Sequence, residues 1–177
     1  MNQKLRFITR TALLLAIAIV VQLMGKFMGP QNNFIVGPVV NAVLLIATEI
    51  TGVFSGIFIS IVAPLVSAFT NKSAIAPVIL SFSPFIIGGN IILVLCYALF
   101  KKRDNLSARI GGVALGAVAK FAFLYASISI FVELMKINAK IAISLIALFS
   151  WPQLITAIVG GIIALSIIPA LKRTVKD

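Results

Sequence analysis

Hydrophobic residues occur in six long runs along the chain, separated by short segments that are polar or contain glycine and proline. A helix needs about 20 residues to cross the hydrocarbon core of a bilayer, and the runs have lengths near that value. We therefore expect an all-α integral membrane protein whose residues 1–177 form one six-transmembrane-helix bundle. The predicted helices cover residues 7–27, 34–50, 52–69, 76–100, 107–132 and 146–171.

Two boundaries between these helices are weakly marked. Only Glu49, Thr51 and Gly52 separate the second run from the third. The fourth run contains Pro77 and Pro84, and a proline inside a helix removes a backbone hydrogen bond and kinks the helix. We expect the regular part of the fourth helix to begin near Pro84, after an irregular stretch.

Positive charges are unequally divided between the two sides of the predicted bundle. The positive-inside rule places the side with more Lys and Arg in the cytoplasm. This predicts that both termini are cytoplasmic, as an even number of spans requires. Ten cations then lie inside, namely Lys4, Arg6, Arg10, Lys101, Lys102, Arg103, Arg109, Lys172, Arg173 and Lys176, and four lie outside, namely Lys26, Lys72, Lys136 and Lys140.

The composition supports a membrane protein and excludes several functions. Hydrophobic residues make up 61% of the chain and charged residues 11%, whereas a soluble domain has about 25% charged residues. The net charge of +11 lies mostly at the ends of apolar runs, so we expect no nucleic-acid partner. The chain has no histidine, and Cys96 is its one cysteine; we expect no metal, no cofactor and no enzymatic activity.

Lys120 is the strongest candidate for a functional residue. It lies roughly 20 Å from the inner start of the fifth helix at about 1.5 Å per residue, and a charge at such a depth costs about 2.5–3.5 kcal/mol. Gly112 and Gly116 share its helix face, which indicates that Lys120 points into the bundle. No acidic residue is predicted at that depth. Either a bound anion pairs with Lys120, or the lysine is neutral, or backbone carbonyls and Asn or Ser side chains hold it.

Other polar residues within the predicted spans gather in the outer half of the bundle. Each of them also has a structural alternative: an asparagine such as Asn90 can join two helices, and Trp151 can be an interfacial anchor. Asn41 and Gln22 are similar but weaker candidates. The predicted substrate-binding residues are Asn90, Lys120, Ser127, Gln153, Trp151, Asn33 and Asn71.

The first helix carries Ala12 and Ala16 one turn apart. Small residues at this spacing let another helix approach closely, although the pattern is common in membrane helices. We expect this face to contact a partner.

These features together resemble the substrate-binding S components of energy-coupling factor (ECF) vitamin transporters. The similarity lies in chain length, six short spans and the basic, apolar composition. It also lies in the Ala12-x-x-x-Ala16 pair, the Gly-Pro-Val-Val-Asn stretch of residues 37–41 and the Gly-Gly-Asn of residues 88–90.

The resemblance implies a mechanism. An S component binds a small water-soluble vitamin at its outer side, and Ala12 and Ala16 would dock onto a transmembrane coupling subunit that works with two ATPase subunits. The protein would then topple in the bacterial cell membrane and release the substrate inside. Unpaired Lys120 favours an anionic vitamin or related micronutrient.

Two other function classes remain as alternatives. A self-sufficient secondary transporter or channel would need a through-path or membrane-embedded carboxylates, and no Asp or Glu lies in the middle of a predicted span. An intramembrane enzyme would need a Ser–Lys dyad built on Lys120. ATP binding is not expected, because the chain has no Gly-x-x-x-x-Gly-Lys-Ser/Thr motif.

Overall fold

The computed structural model describes residues 2–28, 32–71, 75–101, 103 and 105–175, and only the backbone of Val175. The described residues form seven α-helices and no strand. The helices are α1 (Gln3–Gly25), α2 (Asn33–Ile50), α3 (Val53–Phe69), α4 (Ala76–Lys101), α5 (Leu106–Leu134), α6 (Ala139–Leu148) and α7 (Trp151–Val175).

The all-helical prediction is confirmed, and the structure is consistent with six spans. By length and composition, α1, α2, α4, α5 and the segment Ala139–Thr174 are able to cross a membrane, while α3 is a shorter apolar helix of 17 residues. The last of these segments joins α6 to α7, so the two helices together occupy the place of the sixth predicted span.

Two of the predicted boundaries are wrong. Residues 139–145 are predicted to lie in a loop and instead form most of α6, which begins where the Asn138 side chain accepts a hydrogen bond from the Lys140 backbone N–H. The sixth span was expected from residue 146, but α6 ends at Leu148 and α7 begins at Trp151.

The start of the fourth helix is the second correction. Helix α4 is regular from Ala76, and Pro84 lies inside it. A proline cannot donate to the carbonyl four residues earlier, which here belongs to Leu80. The Ser83 hydroxyl donates to that carbonyl at 2.7 Å. The local side-chain bond replaces the missing backbone bond, so the helix continues through the proline.

Helix α2 forms the centre of the bundle. It packs against α1, α3, α4 and α7, and all of its residues from Val40 to Thr48 are buried. A helix that is apolar on every side has to be surrounded by other helices. Asn41 is the only residue with a side-chain amide in this buried stretch.

Helix α1 is attached at the edge of the bundle. Only Thr11, Ala18 and Gly25 are buried along it, at intervals of seven residues. Thr11 donates to Ser55 of α3 at 2.9 Å. Ala12 and Ala16 are exposed, so the face predicted to meet a partner lies on the outer surface of the bundle.

A buried carboxylate joins several helices at the end of the bundle where α1 begins and α7 ends, called here the terminal end. Glu49 of α2 accepts a hydrogen bond from the Tyr97 hydroxyl of α4 at 3.0 Å. It also pairs with Arg109 of α5 at 3.4 Å and with Lys172 of α7, and its side chain is 3% exposed. These four residues are called the Glu49 cluster. The residues Glu49, Tyr97 and Lys172 lie near the ends of α2, α4 and α7, whereas Arg109 lies near the start of α5, so α5 runs antiparallel to the other three helices.

We predict that Glu49→Gln destabilises the protein by about 2 kcal/mol, because it leaves two cations and a tyrosine hydroxyl around a neutral amide. The loss is measured by thermal or denaturant unfolding of the full chain in detergent, followed by the fluorescence of Trp151. Glu133→Gln is the matched control, since Glu133 is exposed. Equal effects of the two substitutions would show that the Glu49 cluster does not stabilise the bundle.

Candidate functional site

The side chain of Lys120 lies buried inside the bundle and is held by two asparagines. Its ammonium donates to Asn41 Oδ1 of α2 at 2.6 Å and to Asn90 Oδ1 of α4 at 2.8 Å. Lys120, Asn41 and Asn90 are respectively 3%, 2% and 4% exposed. These three residues are called the Lys120 triad. They join α2, α4 and α5 in the interior, away from both ends of these helices.

No carboxylate among the described residues pairs with the amine of Lys120. Both acceptors are neutral amide oxygens, and they take two of the three hydrogens of the ammonium. Among the described acids, Glu49 is bound in the Glu49 cluster and Glu133 is exposed near the end of α5. The expectation that no acid lies at the depth of Lys120 therefore holds for the described part of the chain.

Glycines allow α4 and α5 to approach closely on either side of the triad. A Cβ atom on Gly89, the residue before Asn90, would lie 2.9 Å from Leu124 Cγ. A Cβ atom on Gly116, one turn before Lys120, would lie 2.9 Å from Leu93 Cδ1 and 3.1 Å from the Leu93 carbonyl oxygen. Such contacts are too short for any side chain, so glycine is needed at both positions for this spacing of the helices.

Two other predicted site residues, Trp151 and Asn33, lie at the end of the bundle away from the termini, called here the opposite end. Trp151 begins α7 and is 55% exposed, and its ring lies 5.7 Å from that of Phe34. Asn33 precedes Phe34 in the chain, and its buried Nδ2 has no hydrogen-bond partner. The first turns of α2 and α7 therefore bring Asn33 and Trp151 to the same rim.

The remaining predicted residues are less closely connected to the triad. Gln153 donates to the Leu148 carbonyl at 3.2 Å and thereby closes the junction between α6 and α7. Ser127 is half-buried two turns beyond Lys120 along α5, and Asn71 is half-buried just after the end of α3. The structure thus unites Asn90 with Lys120 and places the other predicted residues nearer the opposite end.

Two residues that join helices in the structure, Asn41 and Glu49, are weak candidates in the sequence. Asn41 was considered weaker than Asn90, yet it makes the shorter bond to Lys120. The feature that could have identified Asn41 is that it is a single amide within an otherwise apolar run of α2. Glu49 is predicted only to mark a turn. The feature that could have identified its role is its position as a lone acid near the predicted basic side of the protein.

The Lys120 triad brings together one amine and two carboxamides, groups that donate and accept hydrogen bonds. Among the described residues, no group of three His, Cys, Asp or Glu side chains is placed to hold a metal ion.

Comparison with known proteins identifies the family of the chain. The chain matches the family described as "ECF transporter, substrate-specific component" over residues 6–172, which include all seven candidate substrate-binding residues and both alanines of α1. It matches no curated protein and no solved structure. The family is one of transport components and not of enzymes. The chain therefore belongs to the family of ECF transporter substrate-specific components, which implies a multi-pass membrane protein that binds a small-molecule substrate and works with an ECF module.

Proposed function

We propose that this S component binds a small, water-soluble, anionic vitamin or related micronutrient through the Lys120 triad and the residues of the opposite end. In this proposal the protein resides in the bacterial cell membrane with both termini cytoplasmic, as the distribution of Lys and Arg favours. The opposite end then faces outward, and the substrate enters from there.

The observation that carries the proposal is that the buried amine of Lys120 has two neutral amide oxygens and no described carboxylate as its partners. An ammonium at the membrane centre costs about 2.5–3.5 kcal/mol, and two neutral oxygens offset only part of that cost. The carboxylate of a bound substrate would supply a charge-assisted hydrogen bond, which is roughly twice as strong as a neutral one. Pantothenate, folate, niacin and biotin all carry a carboxylate, so each is a suitable test compound.

The remaining candidate residues are proposed as substrate contacts on the outer side of the triad. Trp151 and Asn33 lie together at the rim, where the exposed indole offers an apolar face and the amide of Asn33 offers an unused donor. Ser127, Gln153 and Asn71 extend the polar character of that half of the bundle.

Ala12 and Ala16 are proposed as the docking surface for the ECF transmembrane coupling subunit, which would associate with two ATPase subunits. Both alanines are exposed on a helix that buries few of its own residues. Small side chains let a partner helix approach its backbone closely. The protein would deliver the substrate inward with energy supplied by this module.

We predict that Lys120→Met weakens substrate binding by about ten- to hundred-fold, the value of a hydrogen bond to a charged group. The substrate is first identified by mass spectrometry of small molecules retained by the purified protein, with the four carboxylate vitamins as reference compounds. Its affinity is then measured by calorimetry for wild type and variant. Lys140→Met serves as the control, because Lys140 is exposed. Unchanged affinity in Lys120→Met would show that the Lys120 triad only joins helices.

We predict that Ala12→Arg and Ala16→Arg abolish co-purification with the coupling subunit and uptake into cells, while substrate binding by the isolated protein persists. An arginine side chain would hold the partner helix away from α1. Ala114→Arg is the matched control, since Ala114 is also exposed and lies at a similar distance from the terminal end on α5. An intact complex with normal uptake in both α1 variants would contradict the docking assignment.

Reconstitution distinguishes this proposal from a self-sufficient transporter or channel. Proteoliposomes that contain this chain alone should bind the substrate but not accumulate it. Uptake in the absence of the coupling subunit and ATPases would favour the self-sufficient alternative.

A further inference from the structure

We propose that Gly160 of α7 is a positioning residue for Lys120, acting through Asn41. Gly160 is buried against α2 at the position of Asn41, and the hydrogen bonds of Lys120 run to Asn41 and Asn90 and not to α7. The inference rests on the proposed function in one respect, namely that Lys120 contacts the substrate. Gly160 then helps to set the position in which Lys120 meets that substrate.

The contact at Gly160 leaves no room for a side chain. A Cβ atom there would lie 2.6 Å from Asn41 Cβ, 2.6 Å from the Pro38 carbonyl oxygen and 3.0 Å from the Ala42 backbone nitrogen. Two of these three atoms belong to the backbone of α2, so no rotamer change can relieve the collision. A methyl group at this position has to push α7 and α2 apart.

The same close approach continues one turn along both helices. A Cβ atom on Gly37 of α2 would lie 2.9 Å from Thr156 Cβ of α7. Gly37 and Asn41 are four residues apart, as are Thr156 and Gly160, so these residues form one continuous seam between the two helices. Asn41 therefore lies in this seam, against a helix that does not itself bond to Lys120.

Separation along this seam changes the triad because the Lys120–Asn41 bond is short. The distance from Lys120 Nζ to Asn41 Oδ1 is 2.6 Å, and a hydrogen bond is lost beyond about 3.5 Å. If a movement of α2 lengthens this distance beyond about 3.5 Å, Lys120 loses its hydrogen bond to Asn41. Asn90 lies on α4, which meets α5 through separate glycines, and it retains its bond.

The neighbouring glycine provides a matched control. A Cβ atom on Gly161 would lie 2.2 Å from Val113 Cγ1 of α5, and all three of its nearest atoms belong to the Val113 side chain. The double variant Gly161→Ala/Val113→Ala therefore removes the collision while adding the same methyl group to α7 one residue further on. It leaves the seam between α2 and α7 unchanged.

The test uses the full chain in detergent without any ligand, so its outcome is independent of whether the proposed substrate is correct. With ε-¹⁵N-labelled lysine, the Nζ resonance of Lys120 is assigned by its loss in Lys120→Met. We expect that resonance to shift in Gly160→Ala and to stay in place in Gly161→Ala/Val113→Ala. We also expect the losses in Tm caused by Gly160→Ala and Lys120→Met to be less than additive in the double variant, because both remove the same bond.

A milder variant keeps the proposal testable if Gly160→Ala does not fold. Gly37→Ala separates the same two helices through the Thr156 side chain, and Thr156→Gly removes that side chain together with its Cβ atom. The Lys120 resonance should shift in Gly37→Ala and return in Gly37→Ala/Thr156→Gly. An unchanged Lys120 resonance in every folded seam variant, or fully additive losses in Tm, would overturn the positioning role of Gly160.

Discussion

The interior of this protein is organised around the side-chain amine of Lys120, which has no acidic partner among the described residues. Lys120 is held within hydrogen-bonding distance of Asn41 of α2 and Asn90 of α4. A polar group in a membrane bundle has to be satisfied by the bundle itself. The positions of α2, α4 and α5 are therefore constrained by the reach of a single side chain.

Close packing makes that reach possible. Glycines at positions 89, 116 and 160 remove the side chains that would hold the helices apart, and each lies beside a member of the triad or one turn from it. Without a hydrophobic driving force between helices in lipid, such close contacts supply much of the attraction. The residues of the Lys120 triad and the glycines that allow close packing are consequently neighbours on the same helices.

The two ends of the bundle have different characters. At the terminal end, Glu49 joins α2 to α4, α5 and α7 through a tyrosine and two cations, and Lys101 donates to the Thr48 carbonyl at 2.6 Å. At the opposite end, Trp151 is exposed beside Phe34, and a buried amide of Asn33 has no partner.

The sequence by itself determined that the protein is a helical membrane bundle and that Lys120 lies deep within it, because the thickness of a bilayer dictates the length of each apolar run. It also contained the small-residue face of α1.

Only the tertiary structure decided that Asn41 is a partner of Lys120, since the two residues are 79 positions apart in the chain. The role of Glu49 was likewise decided by the tertiary structure, because its partners Tyr97, Arg109 and Lys172 lie on three other helices. Helix α4 passes through Pro84 because of the Ser83 bond to Leu80, a bond that the pattern of apolar residues does not reveal. The lengths of the apolar runs specify which segments cross the membrane, whereas the hydrogen bonds and ion pairs between helices depend on how the helices are arranged around one another.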